Sequence, residues 1–78
     1  MATTHTYTII GKQIEGDALV TDISIEFTGD INETVVTSVY HFQPQSVEEV
    51  EANIENRIVT EENKIVGRQK IQEIINQL

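Results

Sequence analysis

The stretch Tyr40-His41-Phe42-Gln43-Pro44-Gln45-Ser46-Val47-Glu48-Glu49 divides the chain in two. Before it, apolar residues recur at every second position; after it, at every third or fourth. Those are the periods of a pleated strand and of a helix. Pro44 is the only proline. It has no N–H to give to a ladder, so strand pairing stops there. Ser46 and Glu49 have the S-x-x-E spacing of a capping box, in which the hydroxyl accepts from the Glu49 amide and the Glu49 carboxylate reaches back to the Ser46 amide. Glu48, Glu49 and Glu51 place negative charge in the first turns, where the helix dipole favours it. The helix is therefore expected to start at Val47.

Working back from the joint, three strands are expected. In residues 4–14, Thr6, Tyr7, Thr8, Ile9 and Ile10 are β-branched or aromatic and suit a pleated surface. Gly11 reads as a bulge or a close approach, and Glu15-Gly16-Asp17 as a turn. In residues 18–28, Leu19, Ile23, Ile25 and Phe27 alternate with Val20, Asp22, Ser24, Glu26 and Thr28. One apolar and one polar face predict an antiparallel sheet wetted on one side. A one-residue slip would bury Asp22 and Glu26, so the register is well specified. Gly29-Asp30-Ile31-Asn32-Glu33 reads as the second turn. Residues 34–42 form a third strand with no strictly polar face, as in a central strand or an edge covered by a neighbouring subunit. Short connections favour a meander.

Working forward, Val47, Val50, Ile54 and Ile58 form one helical stripe, and Ile71, Ile74, Ile75 and Leu78 a second. At about 100° per residue the two stripes point roughly 100° apart on a continuous helix. A break near Val59-Thr60 reconciles them, with Thr60 as N-cap and Glu61 and Glu62 in a new first turn. Gly67 lies on the second stripe; it either admits a neighbouring helix or weakens its own by about 1 kcal/mol. The expected fold is a single α+β domain over residues 1–78. It has a three-stranded antiparallel β-meander followed by two C-terminal α-helices, residues 47–59 and 61–77, packed on one face. Ile23, Ile25 and Phe27 are expected to meet Val50, Ile54, Ile58, Ile71 and Ile74.

The formal charge is −8 and the pI about 4.4. With five basic residues scattered along the chain, neither nucleic acid nor an anionic membrane is an expected partner. The absence of cysteine excludes disulfides and thiolate zinc sites. No apolar run is long enough to span a bilayer, and Met1-Ala2-Thr3-Thr4-His5 lacks the blocks of a secretory signal. A cytoplasmic location is expected.

No motif carries chemistry. His5 and His41, the only histidines, lack ligand spacing, so no metal is expected. Asp30-Ile31-Asn32 opens like a calcium loop, but Val35 and His41 stand where that loop needs glycine and glutamate. Asp22 and Glu26 lie about 13 Å apart along one strand, too far for a carboxylate dyad. Ser24, Ser38 and Ser46 have no nucleophile-elbow context, and the four glycines never cluster into a phosphate loop. No catalytic residue and no cofactor are expected. Tyr7, Phe27, Tyr40 and Phe42 are the aromatics; they are expected to anchor the core, the alternative being an exposed patch that marks a partner site. The residues singled out for an interface are Tyr40, His41, Phe42 and Leu78.

The alternating run Ala18-Leu-Val-Thr-Asp-Ile-Ser-Ile-Glu-Phe-Thr28 and the acidic amphipathic run Ser46-Val-Glu-Glu-Val-Glu-Ala-Asn-Ile-Glu-Asn-Arg-Ile58 resemble small virion-associated and accessory proteins of tailed bacteriophages. The resemblance implies a non-enzymatic assembly component, in a host cytoplasm or in a virion. The expected function is a structural or protein-interaction module acting through self-association as a homo-oligomer. A small regulatory module docking on a host enzyme is the second reading.

Overall fold

The computed structural model describes residues 2–78. They form β1 (Thr4–Glu15), β2 (Ala18–Thr28), β3 (Glu33–Phe42) and α1 (Val47–Gln77). The strands make one antiparallel sheet in the order β1-β2-β3, the expected meander. β2 is central, and its alternation decides which face is dry. Ile25 lies opposite Tyr7 and Val35, and Ile23 opposite Ile9 and Thr37. These residues form the face that α1 covers.

The register shifts between Ile9 and Gly11, as Gly11 suggested. A Cβ at Gly11 would stand 2.7 Å from an Asp22 carboxylate oxygen, so the bulge exists beside a residue that leaves Asp22 room. Gly29 has a φ of 108°, and a Cβ there would run into the Ala2 carbonyl oxygen. Only glycine fits both the angle and the contact.

The core holds Ile23, Ile25, Phe27, Ile31, Val39, Ile54, Ile58 and Ile65, with Tyr7, Val35 and Val50 packed against it. Tyr7 and Phe27 thus meet the expectation of aromatic anchors. Tyr40 and Phe42 do not: they lie on the opposite face of the sheet and are exposed. Their odd-numbered neighbours Val39 and His41 turn inward and are buried. β3 is an edge strand, and its outward face is bare.

The joint is built as its residues dictate. Ser46 is extended, at φ −159° and ψ 163°, and its Oγ accepts from the Glu49 amide at 3.1 Å. The Glu49 carboxylate returns to the amide of Gln45, at 3.1 Å, one residue earlier than the box predicts. Gln43 adopts a left-handed φ of 44°, and its amide donates to the Asp17 carbonyl at 3.1 Å, tying the joint to the first turn. Replacing Ser46 by alanine is expected to cost about 1 kcal/mol, read as a lowered midpoint in a thermal or urea melt. An unchanged midpoint would remove the cap from the account.

The expected break at Thr60 does not occur. The Thr60 hydroxyl donates to the Asn56 carbonyl at 3.2 Å, so it is satisfied inside a continuous helix. The sheet-facing line runs through Ile54, Ile58, Glu61 and Ile65, at steps of four, three and four. Glu61 holds that line because Arg57 donates to it at 2.9 Å and Lys64 lies 3.6 Å away. The Arg57 hydrogen bond, with smaller help from Lys64, outweighs burial and holds the Glu61 carboxyl below the usual carboxylate range. One helix of 31 residues is about 46 Å long at 1.5 Å per residue. Its buried positions end at Ile65. Ile71 and Ile74 therefore lie beyond the core they were expected to join.

Candidate interaction surfaces

Two exposed apolar surfaces stand out among the described residues, and the first follows from the continuity of α1. The first is the far half of the helix. Every residue from Val66 onward is exposed, including Ile71, Ile74, Ile75 and, fully, Leu78. By the 100° step these four form one stripe, flanked by Arg68 on one side and Lys70 on the other. Gly67 and Lys64 continue the line of the stripe one and two turns earlier, and an open groove runs past Glu61, Lys64, Gly67, Arg68 and Ile71. Nothing lies within 4 Å of the place where a Gly67 Cβ would stand. Within one chain, then, no neighbouring helix uses the gap that this glycine leaves.

The second surface is the face of the sheet turned away from α1. Across it, Val36 lies opposite Ser24, Ser38 opposite Asp22, Tyr40 opposite Val20, and Phe42 opposite Ala18. Ala18 and Val20 are buried among their neighbours, while Val36, Tyr40 and Phe42 are 65%, 62% and 66% exposed. Glu15, Asp22 and Glu26 share this face by register. The Ser38 hydroxyl donates to Asp22; none of the three carboxylates is in an ion pair among the described residues. The face therefore combines an apolar strip on β3 with anionic charge on β2 and β1. Val36 was not singled out in the sequence, although its spacing from Tyr40 and Phe42 already put it on their side of the strand.

Three of the four residues expected at an interface are thus exposed: Tyr40 and Phe42 on the sheet, Leu78 at the end of the helix. His41 is not. It is 1% exposed, with Nε2 3.0 Å from the Thr21 hydroxyl and Nδ1 3.1 Å from the Asn53 amide nitrogen. It joins β2, β3 and α1 from within. Burial lowers its pKa, against a smaller upward pull from Glu49. His5 stands apart from His41: it pairs with Glu55 at 2.9 Å and sets its ring edge-on to Phe27 with centroids 6.4 Å apart. Asp30-Ile31-Asn32 is a turn, with Ile31 in the core and the Asn32 amide donating to the Gly29 carbonyl at 2.9 Å.

Arg57 bridges helix and edge strand. Its guanidinium donates to the Ser38 carbonyl at 3.2 Å and to the Thr37 hydroxyl at 2.7 Å. Among the described residues, no three His, Cys, Asp or Glu side chains gather to hold a metal ion. None of their helices is long and apolar enough to cross a membrane. Compared with protein-family models, curated proteins and solved structures, the chain finds no match.

Proposed function

We propose that this chain is a protein-interaction module that works by self-association. The observation that carries the reading is the row Ile71, Ile74, Ile75 and Leu78, held out on a continuous helix beyond its own core. Exposed apolar area of this kind is the usual mark of a partner site. A chain of 78 residues without cysteine also gains more than a larger domain does from burying surface between copies. In this reading the protein is a part of an assembled particle, as the resemblance to virion-associated proteins implies. The reading rests on surface rather than on chemistry.

Sedimentation or light scattering over a concentration series tests it. The expected result is a mass that rises with concentration from that of one 8.8 kDa chain to at least twice that value. A constant single-chain mass across the series would overturn the reading and favour a module that docks on a different protein.

A further inference from the structure

We propose that the far end of α1 in one copy docks on the open face of the sheet in a second copy. This inference rests on the self-association proposed above and names its surfaces. Each surface lacks what the other supplies: the helix end has no sheet beneath it, and the sheet has a helix on only one side. Charge identifies the occupant. Residues 64–78 contain Lys64, Arg68 and Lys70 against Glu73 alone, a net +2; since the whole chain is −8, the remaining residues carry −10. The open face takes its share of that charge as Glu15, Asp22 and Glu26, with no cation on the same face by register among the described residues.

Arg68 and Lys70, the cations flanking the stripe, are free to change partners. Arg68 meets Glu33 at 3.2 Å and Lys70 meets Glu73 at 3.4 Å, and both cationic side chains are more than half exposed. Exposed pairs of this kind contribute little. An apolar stripe flanked by Arg68 and Lys70 thus faces an apolar strip, Val36, Tyr40 and Phe42, bordered by carboxylates. The lengths agree as well. Residues 64–78 span about 22 Å as a helix, and residues 18–24 of β2 about 23 Å as a strand. Donor and acceptor are different patches, so the contact is heterologous, and copies can add one after another.

Two full-length variants separate the two patches. Ile71→Gln, Ile74→Gln and Ile75→Gln together remove the donor, and Tyr40→Thr with Phe42→Thr removes the acceptor. All five side chains are exposed, so both variants are expected to keep the parent's circular dichroism. Each alone is expected to self-associate about 100-fold more weakly than the parent, from the loss of several apolar side chains at the contact. Mixed, they are expected to form a 1:1 complex, because one retains the face and the other the helix end. Added salt is expected to weaken that complex. A parent that stays a single chain would overturn the self-association reading itself. A parent that associates while the mixed variants stay apart would overturn only this mode of docking, and would favour helix-to-helix pairing along the stripe through Gly67. Association unchanged by salt would remove the charge argument for a second copy.

Discussion

Ile25→Lys is expected to leave the chain unfolded at 25 °C, whereas Ser24→Lys, one residue away, is expected to fold. Ile25 is fully buried in the central strand, opposite Tyr7 and Val35, on the face that α1 covers. The substitution removes about 1.5–3 kcal/mol of apolar burial. It also asks a charged group to sit without a partner among isoleucines, at several kcal/mol more. A domain of this size has about 4–12 kcal/mol of stability in total, so the sum is enough to abolish folding. Ser24 points to the open face beside Asp22 and Glu26, where a lysine meets water and opposite charge. Circular dichroism and a urea melt of the two variants read the difference. If both fold with similar midpoints, the assignment of the two sheet faces is wrong.

The contrast between those neighbours was legible in the sequence, because β2 alternates without exception from Asp22 to Thr28. Pro44 and Ser46 were legible for a similar reason: each acts through its own backbone or its immediate neighbour. The continuity of α1 was not. The two stripes point roughly 100° apart, and Thr60 with Glu61 and Glu62 has the make-up of a helix start between them, so the sequence favours a break; in the structure Glu61 instead lies on the sheet-facing line. What keeps Glu61 there is a pair of cations at i−4 and i+3, Arg57 and Lys64. Their spacing was in the sequence; that they would turn toward the sheet side was not. The inward turn of Ile31 depends on how a loop closes over the end of the sheet, which no period encodes. The exposure of Tyr40 and Phe42 was misjudged because an aromatic side chain on a strand is as compatible with a core as with a bare face. The parity of β3 settles it, through His41.

At His41 the expected result is a loss of stability as the pH falls below about 6.5. The ring is buried among β2, β3 and α1, and both nitrogens are engaged. With the Asn53 amide nitrogen facing it, Nδ1 accepts, so the proton sits on Nε2 and is donated to the Thr21 hydroxyl. A second proton would place an N–H of the ring against the N–H of the amide. Burial also disfavours the charged ring, and Glu49 offsets this only in part. The folded pKa is therefore below the ordinary 6.5, while the unfolded chain titrates near it. Between the two values the unfolded state binds the extra proton, and stability rises with pH. The contribution is complete above about 6.5 and falls away as the pH drops toward the folded value. Glu61 acts in a lower window. Its folded pKa is depressed from 4.5, so its stabilisation is present above that value and is lost as the pH falls through the folded one. Replacing His41 by leucine keeps the volume but leaves the Thr21 hydroxyl and the Asn53 amide without their partner, at a cost of about 3 kcal/mol at neutral pH. The variant is also expected to lose the slope of stability that begins near 6.5 while keeping the slope at lower pH. Urea melts at a series of pH values measure both. A His41→Leu protein as stable as the parent, or one that keeps the upper slope, would show that this imidazole does not join sheet and helix as described.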